Sequence, residues 1–144
     1  LRIGYPDAAS EREILRNTEN YLDAVVEPVL SAEEVLQLQS WASHVTVDDS
    51  LVDYMLAVVE KTRTHESLTL GVSPRAAQAL FRATQALAMV EGRDFAIPDD
   101  VKRLVVPVFA HRVVINTRAA LAQRTSDLSD RILQEILTQV EVPL

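Results

Sequence analysis

The segment best suited to chemistry in this 144-residue chain is residues 71–77, Gly-Val-Ser-Pro-Arg-Ala-Ala. Ser73 is a favourable N-cap residue, and Pro74 fits the first helical position, where a backbone N–H is not needed. Arg75 therefore falls in the first turn of a helix, where a cation is unfavourable unless a negative group offsets it. Two interpretations follow. Arg75 is exposed and pairs with a nearby carboxylate, or its guanidinium and the helix N-terminal N–H groups bind an anion such as phosphate.

The remaining reactive side chains are better explained by helix ends and packing. Each of two aspartate pairs precedes a predicted helix, so capping explains them better than acid–base catalysis: Asp48-Asp49 and Asp99-Asp100. Ser73 has no recognisable base partner and is not predicted to be a nucleophile. The three histidines have no ligand spacing, and we predict no metal site. Trp41 is interpreted as a core or junction anchor.

Apolar residues recur at steps of three and four, which predicts an all-α fold, a bundle of about six helices. Ser31 and Glu34 have capping-box spacing, and Gly92 is expected to end the longest helix. Two short β-prone stretches, 45–47 and 95–97, could pair as a tiny two-stranded ribbon. Residues 19–30 are interpreted as a partly extended linker. The helices are predicted at residues 7–18, 32–43, 73–91 and 126–139, with two more beginning after residues 48–50 and 98–100.

Composition narrows the classes of function. A net charge of −7 disfavours binding to a nucleic-acid backbone, and the absence of cysteine excludes disulfides and thiolate metal sites. The longest apolar run, residues 104–110, is much shorter than the roughly 20 residues of a membrane-spanning helix, so we expect a soluble chain. Because the sequence begins with Leu1 and has no signal-peptide pattern, we expect it to be a piece of a longer chain.

An ordered set of motifs resembles the C-terminal lid of AAA+ ATPases of the MoxR family. The set begins with the 71–77 segment and continues with Glu-Gly-Arg-Asp-Phe at 91–95 and Ile-Pro-Asp-Asp-Val at 97–101. Further matches, which together cover nearly the whole chain, lie at residues 3–7, 11–15, 28–31, 106–108, 111–112 and 140–143.

The resemblance implies a division of the chain and a set of site residues. Residues 1–6 would be the end of the last core strand and the junction, and residues 7–144 the helical lid. Arg75 matches the sensor 2 arginine, which implies a catalytic and nucleotide-binding role towards the γ-phosphate. Tyr5 and Ile14 match positions beside the adenine; the alternatives are a hinge-packing aromatic for Tyr5 and a core residue for Ile14.

The resemblance also implies what the longer protein does. The chain has no Walker A motif, Gly-x-x-x-x-Gly-Lys-[Ser/Thr], so we expect the chain alone to bind no cofactor and hydrolyse no ATP. The parent chain would be an ATP hydrolase that uses ATP with Mg²⁺.

The implied partners are the AAA+ core of its own chain, neighbouring subunits of a hexameric ring, and client proteins, often with von Willebrand factor A domains. The implied role is chaperone-like maturation of those clients in the cytoplasm. Two alternatives remain at this point: a freestanding helical protein-interaction module, and the lid of another AAA+ branch. A Walker A motif upstream of Leu1 would exclude the first.

Overall fold

The computed structural model describes residues 4–16, 27–116 and 125–143, and in that part of the chain it contains six helices and one two-stranded sheet. The all-α prediction is confirmed. The chain divides into two units, Leu1–Val35 and Leu36–Leu144. In chain order the elements are α1 Ala8–Arg16, α2 Ala32–Ser43, α3 Asp49–Thr64, β1 Leu68–Leu70, α4 Pro74–Val90, α5 Pro98–Phe109, β2 Val114–Ile115 and α6 Thr125–Gln139.

Helix ends lie close to where capping chemistry predicts them. Before α2, the Ser31 N–H donates to Glu34 Oε2 at 2.7 Å and the Glu34 N–H donates to Ser31 Oγ at 3.2 Å, which is the predicted capping box. Before α3, Asp48 Oδ1 accepts from the Ser50 N–H at 2.9 Å. Helix α4 is followed by Gly92, whose φ of +77° is a conformation that favours glycine. Residues 17–18 of the predicted first helix and most of the predicted linker lie outside the described residues.

The core lies in the second unit, where apolar residues of α3, α4, α5 and α6 pack together. The largest fully buried side chains among the described residues are Phe109, Leu80, Leu133 and Ile136. The residues that link α2 to α3 are held to this core by Gln85 of α4, whose Nε2 donates to the Val45 carbonyl at 2.9 Å. Trp41 is 60% exposed, so its interpretation as a core residue is wrong, and the alternative, a junction anchor, stays a prediction.

The two β-prone stretches meet, although at one point only. Thr46 and Phe95 form an isolated parallel bridge, in which the Ala96 N–H donates to the Thr46 carbonyl at 2.9 Å. No longer ribbon forms between these stretches because helices begin at Asp49 and Pro98, a few residues further on. The two-stranded sheet lies elsewhere: β1 and β2 pair antiparallel, a pairing that the apolar periodicity did not predict.

Candidate functional site

Arg75 lies in the first turn of α4, one residue after Pro74, and its side chain is exposed. This position differs from the other helix starts. The first turns of α1, α2, α3 and α5 each carry an acidic residue, whereas the first turn of α4 has none. Acidic residues there are favourable because the N-terminal end of a helix carries partial positive charge. A guanidinium at this end therefore adds positive charge to a site that already attracts anions.

Among the described residues, no carboxylate is seen to form an ion pair with Arg75. The ion pairs seen in the described parts of the chain, such as Arg93–Asp100, Lys102–Asp99 and Arg103–Glu91, do not involve Arg75. The pairing predicted by the first interpretation of Arg75 is therefore not found there. The guanidinium keeps its fork of N–H donors available for a planar or tetrahedral anion.

The loop that leads into α4 is held at Val72, a buried residue. The Val72 N–H donates to Thr62 Oγ1 at 3.0 Å, and the Val72 carbonyl accepts from Arg63 Nε at 3.0 Å. The Thr62 hydroxyl in turn donates to the Val59 carbonyl at 2.6 Å, so both its donor and its acceptor roles are used. Two neighbouring side chains of the last turn of α3 thus bind both backbone polar groups of Val72.

Gly71 allows this close approach. A Cβ at Gly71 would lie 2.6 Å from the Thr62 carbonyl oxygen and 2.7 Å from the Arg63 Cα, which are both backbone atoms that cannot swing away. Two residues later, Ser73 caps α4 through its Oγ, which accepts from the Ala76 N–H at 3.3 Å. The backbone before Arg75 is therefore held on both sides, by α3 and by its own helix cap.

Tyr5 and Ile14 belong to the first unit, whereas Arg75 belongs to the second. Tyr5 is fully exposed and Ile14 is 45% exposed, and α1 has no buried residue. The alternative interpretation of Ile14 as a core residue therefore finds no support in its own unit. The role of both residues beside an adenine stays a prediction.

The ion pair between Arg93 and Asp100 was missed by sequence reasoning. Asp100 is 1% exposed, and its carboxylate accepts from Arg93 Nη1 at 2.9 Å, from Arg93 Nη2 at 2.7 Å and from the Ile97 N–H at 2.9 Å. Burial acts to raise the pKa of Asp100, but the hydrogen bonds from Arg93 and Ile97 and the nearby positive charges outweigh burial and lower this pKa. The predicted capping role of Asp100 is confirmed, and the pair also joins the segment after α4 to the start of α5.

The described residues contain no group of three or more His, Cys, Asp or Glu side chains that could hold a metal ion. The histidines bind locally instead: His44 Nδ1 lies 2.7 Å from the Ser40 carbonyl near the end of α2, and His65 Nδ1 accepts from the Ser67 N–H at 3.2 Å. Across the described parts of the chain, no helix has both the length and the apolar character needed to cross a membrane.

Comparison with known protein families identifies this helical fold as a lid domain. The family model described as the AAA lid domain matches residues 60–136, and the chain belongs to this family. The match includes the residues that hold the loop, Arg75 itself and the Arg93–Asp100 pair. Tyr5 and Ile14 lie outside it.

Two relatives indicate which AAA+ proteins the chain resembles within that family. The chain is 37% identical over 145 residues to the uncharacterized protein YeaC of Bacillus subtilis and 35% identical over 156 residues to the chaperone MoxR1 of Mycobacterium tuberculosis. It covers 44% of the first and 39% of the second, so it spans about two fifths of the length of these relatives.

A crystal structure from Cytophaga hutchinsonii, described as a candidate ATPase, matches 99% of the chain. The match has a TM-score of 0.79 and 27% identity, and it covers 45% of that structure's chain. The resemblance to a MoxR-family AAA+ lid is thereby confirmed.

Proposed function

We propose that this lid closes over ATP held by an ATPase core and that Arg75 acts there as the sensor 2 arginine. The guanidinium would donate hydrogen bonds to the γ-phosphate and neutralise the charge that develops on it during phosphoryl transfer. After hydrolysis and release of phosphate this partner is lost, which links the position of the lid to the state of the nucleotide.

The observation that carries the proposal is the charge at the start of α4. An arginine is placed where the other helices with described first turns have acidic residues, and none of the ion pairs seen among the described residues involves it. Such an arrangement costs stability unless an anion is bound in the working protein. The family match supports a nucleotide phosphate as that anion.

The finer parts of the proposal come from the same family. ATP would be bound together with Mg²⁺, and the lid would contact the core of its own chain and a neighbouring subunit in a hexameric ring. The longer protein would act in the cytoplasm as a chaperone that matures or activates clients, including proteins with von Willebrand factor A domains. One relative is named a chaperone, which supports this class of role.

The test is Arg75→Ala in the full-length protein, with ATP hydrolysis as the readout. Loss of one well-placed donor to a developing negative charge costs on the order of 10²-fold in kcat, so we expect a decrease of about that size. The matched control is Arg82→Ala on the same helix, because Arg82 is also exposed but lies two turns from the N-terminus. Equal rates for wild type and Arg75→Ala would refute the proposed role.

A further inference from the structure

We infer that Thr62 and Arg63 are positioning residues for Arg75 and that they act by holding the backbone of Val72. The inference rests on the proposed function of Arg75 and extends it to a different helix, because neither side chain belongs to α4. Thr62 and Arg63 lie in the last turn of α3, and the two hydrogen bonds that they form with Val72 are each 3.0 Å long.

The hydrogen bond from Val72 to Thr62 is the stronger constraint of the two. Thr62 and Val72 are both buried, so water cannot replace a lost partner of the Val72 N–H. The Thr62 hydroxyl is oriented by its own bond to the Val59 carbonyl, one turn earlier in α3. The accepting lone pair is therefore presented in one direction, and the loop can satisfy Val72 only in the observed position.

Two residues, Ser73 and Pro74, separate Val72 from Arg75, and the backbone in and next to this stretch has little freedom. Pro74 has a fixed φ, Ser73 caps the helix, and a Cβ at Gly71 would overlap the backbone of α3. A displacement of Val72 must therefore move the first turn of α4 and the Cα of Arg75. A displacement of about 1 Å at a catalytic group can lower a rate by as much as about 10²-fold.

This arrangement makes α3 part of the catalytic geometry although it provides no group that we assign to the phosphate. The C-terminal turn of α3 and the N-terminal turn of α4 are joined through Val72, so a shift of α3 along its axis would be passed to Arg75. Removing the hydrogen bonds should therefore lower the rate of phosphoryl transfer more than the affinity for ATP.

The experiment uses Thr62→Val in the full-length protein, in the wild-type and Arg75→Ala backgrounds, with kcat, KM for ATP and thermal stability as readouts. In the wild-type background we expect kcat to fall about tenfold with KM changed by less than about threefold. In the Arg75→Ala background we expect no further decrease, because a residue that acts through Arg75 has nothing left to position. Thr62→Ser keeps the hydroxyl and should retain wild-type kcat.

Thr64→Val is the matched control. Thr64 lies in the same turn of α3 and its hydroxyl donates to the Glu60 carbonyl at 3.2 Å, but the hydroxyl does not bond to the loop. We expect its kcat to equal that of the wild type. If Thr62→Val prevents folding, Arg63→Met provides the same comparison, because Met keeps an unbranched apolar side chain and removes the donor to the Val72 carbonyl.

Two sets of results are distinguishable. An unchanged kcat in Arg75→Ala refutes the proposed function of Arg75. A lowered kcat in Arg75→Ala supports the proposed function of Arg75. If kcat is then unchanged by Thr62→Val or Arg63→Met, or is lowered by the same factor in both backgrounds, the positioning role is refuted and the proposed function stands. An effect of Thr64→Val as large as that of Thr62→Val also overturns the inference.

Discussion

Replacing Asp100 by Asn tests the ion pair that joins the segment after α4 to α5. The buried carboxylate accepts two hydrogen bonds from Arg93, and Oδ2 also accepts from the Ile97 N–H at 2.9 Å. An asparagine of the same shape can keep its carbonyl oxygen at the Oδ2 position and retain the bond to Ile97. Its amide group then faces Arg93 Nη2 at the position where Oδ1 accepts at 2.7 Å, so two donors oppose each other and the negative charge is lost.

The loss of stability expected for Asp100→Asn follows from the burial of the Asp100 carboxylate. Removing one partner of a buried ion pair costs about 3–5 kcal/mol. Asp100→Asn falls somewhat below that range, at about 2–3 kcal/mol, because the Arg93 side chain is 22% exposed and can bind water and because the bond to Ile97 is kept. For a chain of this length each kcal/mol lowers Tm by about 2–4 °C, so we expect a decrease of about 4–12 °C.

The stability that the Arg93–Asp100 pair contributes depends on pH, and the direction of this dependence follows from the pKa of Asp100. The pKa of Asp100 is lowered from the ordinary value of 3.8, so the unfolded chain binds the proton more readily than the folded chain does. The stability that the pair contributes is therefore complete above the ordinary pKa and is lost as pH falls through the lower pKa of the folded state. The difference in stability between wild type and Asp100→Asn should be constant near neutral pH and should shrink below about pH 4.

The assays are thermal unfolding at about pH 7, which gives Tm, and urea unfolding at about pH 7, 5 and 3, which gives the free energy of unfolding at each pH. Asp99→Asn is the matched control, since Asp99 lies in the same helical turn but its side chain is 73% exposed and accepts from Lys102 at 3.1 Å. An exposed pair of this kind contributes little, so the Tm of the control should change by less than about 2 °C. The reasoning fails if Asp100→Asn is as stable as wild type at pH 7, if the difference persists unchanged at pH 3, or if Asp99→Asn costs as much.

Two further predictions concern a buried hydroxyl and a close backbone approach. Tyr54 is 3% exposed, its hydroxyl has no partner among the described residues, and burial raises the pKa of this hydroxyl. Tyr54→Phe removes the buried hydroxyl and should therefore raise the stability measured by thermal unfolding by about 1 kcal/mol. Tyr5→Phe, at an exposed tyrosine, is the control and should not raise it. A loss of stability in Tyr54→Phe would contradict this. Gly71→Ala should lower stability by about 1–3 kcal/mol and also lower ATP turnover of the full-length protein, since its Cβ meets backbone at 2.6 Å. Gly4→Ala, where a Cβ has nothing within 4 Å, is the control and should match wild type in both measurements.

Local signals in the sequence were sufficient to place the helices. The capping box of Ser31 and Glu34 begins α2, Asp48 caps α3 and Ser73 caps α4, all as predicted. These predictions succeed because a cap and its helix are neighbours in sequence, so the hydrogen bonds involved span only two or three residues. The position of Arg75 in the first turn of α4 follows from the same local rule.

Contacts between distant residues could not be predicted in this way. The Val72 N–H bonds to Thr62, ten residues earlier, and β1 pairs with a strand more than forty residues later. Asp100 was predicted from its position as a helix cap, but nothing local indicated that Arg93 would turn back towards it, because this depends on the chain reversing after Gly92. Such contacts depend on the packing of whole elements, and periodicity along one helix carries no information about them.

The contacts that fix the backbone before Arg75 are all formed inside one of the two units of the chain. The cap of α4, the Val72 hydrogen bonds and the close approach at Gly71 all lie within the second unit, whose core is formed by α3, α4, α5 and α6. The hydrogen bonds and the close approach that fix the backbone before Arg75 are therefore formed between residues of the same unit. If Arg75 binds the γ-phosphate, as proposed, its backbone is already fixed before binding, and the conformational entropy lost on binding is mainly that of its own side chain. Under the proposed function, the lid would move Arg75 as part of a rigid element, so that the position of the arginine would follow the presence or absence of a γ-phosphate.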